Sequence, residues 1–304
     1  MRKSKALCLL LLCALFLLNG CIVLDEEALN GGTEDTETES PSRAVSVKPP
    51  EVTVGAPVES GGDATYRTKV NTEILDTGRD AAYLLLVNKQ NPLESDYVPT
   101  ELVTLTCHTT YEMELELRAA MALYEMLDEM AAYGLDTKND IAVTSAYRSY
   151  RLQGELFEDY VAYEMNHPEG FSRDALDVLG YYYIRTQYEE KGKSRLSAAD
   201  ARRVVAAYSA EAGKSEHQTG LCVDLITADM KNNLTVVFEE KPVFAWLSAH
   251  AHEFGFILRY PKGKETITGY TYEPWHYRFV GREAATEICE RGITLEEYLE
   301  TQQG

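Results

Sequence analysis

The sequence predicts an α+β fold in which a central antiparallel sheet is flanked by helices. Short apolar runs typical of strands mix with helical periodicities, and they do not alternate regularly as βαβ units would. The 304 residues are 45% hydrophobic and 26% charged, a composition that allows a packed core and differs from that of a mostly disordered chain. The net charge of −20 argues against a nucleic-acid partner, because such a partner requires a basic surface.

The first half of the folded region contains both kinds of element. The apolar run at 83–87 predicts a strand. Apolar residues at helical spacing over 112–133 predict a helix that ends at Gly134. The run at 141–145 predicts a second strand, and Ser149 is placed to cap the helix that follows.

The second half begins with a long segment, 166–213, that is predicted to be a helical insertion. The capping-box pattern Ser197-Ala-Ala-Asp200 starts a helix within it. We interpret the insertion either as a lid that narrows substrate choice or as a passive surface element. The remaining predicted elements are strands at 221–226, 256–260 and 275–279, a helix at 242–253 and a terminal helix that begins at Thr294.

The first 21 residues are predicted to be a lipoprotein signal peptide. A basic start at 2–5 precedes 13 apolar residues, 6–18, fewer than the about 20 that span a bilayer. The run ends in Leu18-Asn19-Gly20-Cys21, which resembles the lipobox of bacterial lipoproteins, so Cys21 is the expected lipidation site. The alternative is a cleaved signal with an incidental cysteine. The lipobox interpretation places the protein in the cell envelope, held by lipid at the outer face of the cytoplasmic membrane.

The segment 22–65 is predicted to be a disordered acidic tether. Residues 22–60 carry nine acidic and two basic side chains together with several prolines, too little apolar surface to offset the entropy of ordering. A specific acidic binding tail is the alternative. The remaining residues, 66–304, are predicted to form one monomeric domain. Its odd set of three cysteines allows one disulfide but no disulfide framework, and Cys107 beside His108 is a weak candidate for a nucleophile.

Three short segments carry the residue types that catalysis uses. They are Ser145-Ala-Tyr-Arg-Ser149, the segment from Ser215 to Asp224, and the segment from Tyr272 to Arg278. In the second segment, Gly220 permits a sharp turn that can bring the imidazole of His217 beside the carboxylate of Asp224.

The third segment can complete a metal site. His276 would add a second imidazole from a later strand, and two histidines with one aspartate leave a zinc ion an open fourth position, as catalytic sites do. Glu273 lies three residues before His276, near enough to act on water without binding the metal. If the zinc interpretation fails, Asp224 is a turn-capping carboxylate.

These segments resemble the motifs of VanY-type D-alanyl-D-alanine carboxypeptidases, zinc peptidases that trim peptidoglycan stems. The family pattern S-x-H-x-x-G-x-A-x-D matches at Ser215, His217, Gly220 and Asp224, and E-P-W-H-x-R matches from Glu273 to Arg278. A Y-R-S element matches at Tyr147, Arg148 and Ser149, followed by Gln153, and the segment from Phe254 to Pro261 is also similar. The resemblance extends over about 83–281 and implies a VanY/Hedgehog-like zinc peptidase fold.

The resemblance also implies a role for each matched side chain. His217, Asp224 and His276 would bind zinc, and Glu273 would be the general base that takes a proton from water and delivers it to the leaving amine. Arg148 would stabilise the oxyanion of the tetrahedral intermediate. Gln153, Ser215 and Tyr147 would contact the substrate.

Two features leave alternatives open. Cys222 stands where the family usually has alanine, and its thiol is interpreted as a packed side chain or, alternatively, as a competitor for zinc. Arg259 and Arg278 are interpreted either as structural ion-pair partners or as binders of the stem-peptide carboxylate.

The expected activity is removal of the terminal D-Ala from peptidoglycan stem peptides by a D,D-carboxypeptidase. Motifs do not separate it from an L,D-carboxypeptidase or a D,D-dipeptidase, because one methyl group is worth only about 1–3 kcal/mol of discrimination. A non-catalytic peptidoglycan-binding module is the remaining alternative. The presence of Glu273 argues against that module, because binding requires no proton carrier.

Overall fold

The computed structural model describes residues 45–46, 72–106, 108–135, 137–166, 195–231 and 233–302. All of them belong to one unit that begins at Ala44. The predicted signal peptide with Cys21, the predicted tether apart from Val45–Ser46, residues 167–194 of the predicted insertion, and Cys107 lie outside the described residues. Within the described ranges, no helix has the length and apolar character needed to cross a membrane.

The described strands and α-helices mix along the chain as the fold class requires. The strands are β1 (Val45–Ser46), β2 (Leu102–Thr104), β3 (Glu114–Glu116), β4 (Ile141–Ser145), β5 (Cys222–Thr227), β6 (Phe256–Leu258) and β7 (His276–Phe279). The helices are α1 (Thr72–Leu75), α2 (Leu117–Ala132), α3 (Thr137–Asp140), α4 (Tyr150–Asn166), α5 (Ala198–Val205), α6 (Pro242–His250), α7 (Glu265–Thr268), α8 (Arg282–Arg291) and α9 (Leu295–Gln302).

The main sheet has the strand order β4-β5-β7-β6, and every neighbouring pair is antiparallel. Its register sets Asp224 of β5 opposite both Ser145 of β4 and His276 of β7. Because directly opposed residues project from the same face of a sheet, their side chains meet. The predicted α+β fold with a central antiparallel sheet is therefore confirmed, and the sheet itself brings the three motif segments together.

Helix α2 packs against this sheet and forms much of the core. Its buried side chains include Leu123 and Met126, which join Val143, Val223 and Tyr277 of the sheet in one apolar cluster. The helix starts later than predicted because residues 114–116 form β3, and the Glu116 side chain caps the helix by accepting a hydrogen bond from the Ala119 amide at 2.9 Å. It ends before Gly134, as predicted.

Helices α4 and α5 form a second cluster beside the sheet. Ser149 accepts a hydrogen bond from the Leu152 amide at 3.3 Å, and Ser197 accepts one from the Asp200 amide at 3.1 Å, so both predicted caps are present. Phe157 and Val161 of α4 are buried in one cluster with Val204 and Val205 of α5 and with Leu196, which precedes α5. The described end of the predicted insertion is thus packed on the domain through α5.

The predicted strand at 83–87 is wrong. The amides of Tyr83 and Leu84 donate to the Asp80 carbonyl at 3.1 and 3.3 Å, which folds the start of this run into turns. The carbonyls of Tyr83 and Leu85 accept hydrogen bonds from the Arg278 guanidinium at 3.1 and 2.8 Å. The burial of Leu84 and Val87 accounts for the apolar character of the run. The carbonyls of Tyr83 and Leu85, however, accept hydrogen bonds from the buried Arg278 side chain and not from a neighbouring strand.

Candidate metal and catalytic site

His217 lies on a short 3₁₀ turn, Glu216–Thr219, that leads into β5. Gly220 closes the turn with a left-handed φ of 65°, and its amide donates to the His217 carbonyl at 3.2 Å. A side chain on Gly220 would bring a Cβ within 3.3 Å of Leu102, Glu116 and Pro99. The turn folds the ring back over β5, so that Nε2 of His217 lies 3.3 Å from Oδ2 of Asp224.

His276 reaches the same carboxylate from β7. Its Nδ1 lies 3.0 Å from Oδ1 of Asp224, and its ring meets that of His217 edge-on with centroids 5.0 Å apart. All three side chains are buried. The structure therefore brings together His217, Asp224 and His276, the residues predicted to bind zinc.

The arrangement of ring nitrogens fits a metal. Nδ1 of His217 hydrogen-bonds to the Ala146 carbonyl at 2.6 Å, which leaves Nε2 as the lone-pair nitrogen that faces Asp224. Metal-binding histidines usually fix their outer nitrogen in this way. Burial opposes ionisation of Asp224, but the imidazoles of His217 and His276 hold its pKa well below the ordinary value. Two imidazoles and a buried carboxylate are a donor set that suits catalytic zinc.

Glu273 lies beside this set. Its Oε2 is 3.6 Å from Nδ1 of His276, and the residue is only 7% exposed. Burial raises the pKa of Glu273 to about 8, with a contribution from the Asp224 charge, whereas the two imidazoles and Arg148 act in the opposite direction. The carboxyl group is placed to exchange a proton with a molecule in the adjoining cavity.

Arg148 follows β4 and is held by its neighbours. Its Nε donates to Oε1 of Gln153 at 2.9 Å, its Nη1 donates to Oγ of Ser145 at 2.5 Å, and its backbone amide donates to the His217 carbonyl at 3.1 Å. Gln153 is almost fully buried, and its amide nitrogen donates to the Ala210 carbonyl at 2.6 Å. Gln153 therefore has the position of a support for Arg148, and its predicted contact with the substrate stays a prediction.

A cavity of about 390 Å³ opens over the site, a size that suits part of a peptide. Arg148, Ser215, Glu273 and the three predicted metal ligands line it, with an apolar and aromatic wall that includes Tyr208, Leu234, Val236, Tyr260, Tyr270 and Trp275. Ser215 thus faces the place where a substrate would lie. Tyr147 does not line this cavity, and its backbone amide instead donates to the Glu114 carbonyl at 2.8 Å.

Cys222 is fully buried on the same face of β5 as Asp224, as its position two residues earlier predicts. Donor atoms of His217, Cys222 and His276 all lie within 4.8 Å of one another. Burial of Cys222 opposes formation of the thiolate, but the two imidazoles lower the pKa of this thiol to about 7. Asp224 remains the predicted third ligand, because its carboxylate oxygens lie 3.3 Å from Nε2 of His217 and 3.0 Å from Nδ1 of His276.

Arg259 and Arg278, for which the sequence allowed two roles, are structural ion-pair partners in the folded chain. Arg259 and Arg278 are fully buried and lie 2.8 Å from the same oxygen, Oε1, of Glu216. Glu216 was missed as a site residue, although it immediately precedes His217. The signal that could have found it is the pair of arginines at two short strands, Arg259 directly after β6 and Arg278 within β7, because each buried guanidinium needs a carboxylate.

Comparison with known proteins gives a consistent result. The family model VanY, D-alanyl-D-alanine carboxypeptidase, matches residues 112–282, more than half of the chain and all three motifs. The chain is 35% identical over 219 residues to the D-alanyl-D-alanine carboxypeptidase of Enterococcus faecalis (strain ATCC 700802 / V583). That match covers 72% of this chain and 66%, about two thirds, of the relative.

Solved structures show the same fold. The vancomycin resistance D,D-pentapeptidase VanY from a VanB-type resistance cassette, a mutant in complex with Zn(II), is 33% identical with a TM-score of 0.53 over 72% of this chain and 99% of that chain. The LD-carboxypeptidase LdcB is 32% identical with a TM-score of 0.55 over 72% of this chain and 86% of that chain.

Proposed function

Because the chain belongs to the VanY family of D-alanyl-D-alanine carboxypeptidases, we propose that it is a zinc D,D-carboxypeptidase that removes the terminal D-Ala from peptidoglycan stem peptides. The protein is a metallo-carboxypeptidase of the peptidoglycan-peptidase kind. The observation that carries the proposal is the convergence of His217, Asp224 and His276 with Glu273 at the floor of one cavity. His217, Asp224 and His276 would hold the zinc ion.

The chain's own residues supply the proton transfers. When bound, zinc supplies a Lewis acid that makes a water molecule nucleophilic at neutral pH. Glu273 accepts a proton from the attacking water and later delivers it to the amine of the leaving D-Ala as the peptide C–N bond breaks. The apolar and aromatic wall of the cavity excludes bulk water, which strengthens the electrostatic interactions inside.

Arg148 is assigned to the developing oxyanion. The Arg148→Lys variant is expected to lower kcat by about 10²–10³-fold, the usual cost of losing an oxyanion donor. Lysine lacks the planar fork that bonds Gln153 and Ser145 together, so its ammonium group would not keep the guanidinium's position. Arg151→Lys, at a nearby side chain that is 78% exposed, is the matched control. Equal rates in the two variants would remove Arg148 from the mechanism.

The reaction is tested by mass spectrometry of the products. Purified protein is incubated with a stem pentapeptide that ends in D-Ala-D-Ala, with and without a metal chelator. Chelator-sensitive release of a single D-Ala is the expected result. Release of the intact dipeptide would replace the proposal with a D,D-dipeptidase.

An L,D-carboxypeptidase is the second candidate, because LdcB resembles this chain as closely in fold as the VanY structure does. The same assay on a stem tetrapeptide distinguishes the two activities. Release of D-Ala from the tetrapeptide alone would favour the L,D activity. If zinc-loaded protein releases nothing from either peptide, a non-catalytic peptidoglycan-binding module becomes the better explanation.

For the N-terminal region we propose a lipid anchor at Cys21 followed by the acidic tether over 22–65. The support is the basic start, the short apolar run and the lipobox-like sequence. Such an anchor would hold a monomeric enzyme at the outer face of the cytoplasmic membrane, near its peptidoglycan substrate. Intact mass spectrometry of protein extracted from a bacterial membrane would reveal a diacylated Cys21 as the new N-terminus.

A further inference from the structure

Glu216 is a fully buried carboxylate to which the proposed mechanism gives no role. One of its oxygens, Oε1, accepts a hydrogen bond from Nε of Arg259 at 2.8 Å and lies 2.8 Å from Nη1 of Arg278. Isolated buried charges are strongly unfavourable, so the two guanidinium groups hold this side chain ionised and in a fixed orientation. Oε1 of Glu216 is therefore held by both arginines, and Oε2 is left for another partner.

That second oxygen, Oε2, faces His276. It lies 3.8 Å from Nε2 of His276, and within the described part of the chain neither atom has a hydrogen-bond partner. Buried polar atoms are rarely left without a partner, so two such atoms that face each other at this distance indicate an interaction that closes by a small shift of the ring.

The opposite edge of the His276 ring carries the nitrogen that would bind the metal. Nδ1 of His276 faces the proposed metal position, 3.0 Å from Asp224 and 3.6 Å from Glu273. A neutral imidazole has one protonated nitrogen and one lone pair. If the lone pair is on Nδ1, the proton must be on Nε2, where Glu216 is the nearby charged acceptor.

The charges around Glu216 keep its carboxylate ionised, so that it can accept a hydrogen bond from His276. Arg259 also donates to both oxygens of Glu296 on α9, at 2.9 and 2.7 Å. Two guanidinium groups and two carboxylates thus form a balanced buried cluster, and Glu216 is the member of it that reaches the metal site. Glu296 lies in the same cluster but is not paired with His276, which provides a matched control.

We propose that Glu216 is a positioning residue for the metal centre: its Oε2 accepts a hydrogen bond from Nε2 of His276 and so presents Nδ1 to the metal. This inference rests on the metal-binding role proposed for His276. The competing explanation is that Glu216 only neutralises Arg259 and Arg278, in which case it would affect folding stability but not the histidine tautomer.

The first test uses the unmodified protein. Long-range ¹H–¹⁵N NMR spectra of zinc-loaded, histidine-labelled protein report which ring nitrogen carries the proton. We expect opposite tautomers at the two metal-bound rings: Nε2 protonated in His276, and Nδ1 protonated in His217, whose Nδ1 contacts the Ala146 carbonyl. Two rings that both bind zinc through Nε2 would overturn the proposal.

The second test compares Glu216→Gln with Glu296→Gln by measuring zinc affinity in competition with a chelating indicator. In Glu216→Gln, the two arginines attract the amide oxygen, which turns the amide NH₂ group toward Nε2–H of His276, donor against donor. Zinc affinity is expected to fall by about 10–100-fold, the usual cost of losing an outer-shell partner. Glu296→Gln is expected to stay within about twofold of the unmodified protein.

Each remaining outcome decides between the explanations. Equal losses in the two variants would reduce Glu216 to a structural role, and an unchanged affinity in folded Glu216→Gln would contradict the proposal. If Glu216→Gln does not fold, the NMR measurement is repeated on the metal-free unmodified protein, in which no zinc ion fixes the tautomer: a proton on Nε2 of His276 supports the proposal, and an Nε2 without a proton contradicts it. A changed His276 tautomer in Cys222→Ala would transfer the role to the thiol. Because both measurements need no substrate, failure of the D-Ala release assay would leave them interpretable.

Discussion

Replacing Glu273 with glutamine is expected to lower kcat on a stem pentapeptide by about 10²–10⁴-fold, the contribution typical of a positioned acid–base group. The amide has almost the same shape as the carboxyl group but neither accepts a proton from water nor delivers one to the leaving amine. The zinc content is expected to remain unchanged, because the proposed donor set of two imidazoles and the Asp224 carboxylate does not include Glu273. Steady-state kinetics and elemental analysis on the same preparation measure both quantities.

Glu265→Gln is the matched control for this experiment. Glu265 is as buried as Glu273, each being 7% exposed, but it does not line the cavity. A similar rate loss in the two variants would mean that burial of a carboxyl group, rather than proton transfer, explains the result. Simultaneous loss of zinc and turnover in Glu273→Gln would instead make Glu273 a metal ligand.

The sequence predicted the fold class and the composition of the site because both depend on local patterns. The spacing from His217 to Asp224 places a turn before a strand, and the structure has that turn and that strand. The strand order β4-β5-β7-β6 could not be predicted, because it depends on which strand edges meet in space. It is this order that sets His276 opposite Asp224.

The contacts that the sequence did not predict are made by buried polar groups. The run at 83–87 has the apolar character of a strand, yet its carbonyls bond to the guanidinium of Arg278, which arrives from a residue almost 200 positions away. The amide group of Gln153, which is also predicted to contact the substrate, forms hydrogen bonds to Arg148 and to the Ala210 carbonyl. Periodicity records which side chains are buried and contains no information about such long-range partners.

Glu216 is a residue whose proposed role the sequence did not indicate. Read along the chain, it is one acidic residue in a polar loop beside a histidine. Only the packing of β6 and β7 shows that two arginines converge on it and that its free oxygen faces His276. The residues proposed to bind zinc were therefore predictable from a motif, whereas the residue proposed to orient one of them was not.

Replacing His217 with alanine is expected to empty the metal site. The variant would keep Asp224 and His276 but lose the nitrogen that completes the proposed donor set. Loss of an outer-shell partner lowers metal affinity by up to about 100-fold, so loss of a ligand should lower zinc affinity by more than that. Turnover is expected to disappear with the metal. Zinc content after dialysis and the rate of D-Ala release measure the two losses, and circular dichroism verifies that the variant is folded.

His250→Ala is the control for the His217 variant, because His250 is half-exposed on α6 and its Nδ1 pairs with Glu253 at 3.0 Å. It is expected to keep both zinc and turnover. Full zinc occupancy in His217→Ala would contradict the assigned donor set and direct attention to the Cys222 thiol as the replacement ligand. We expect both variants to lose turnover, but only His217→Ala to lose zinc. That combination would separate metal binding from proton transfer. These two functions would then belong to different side chains of one buried cluster.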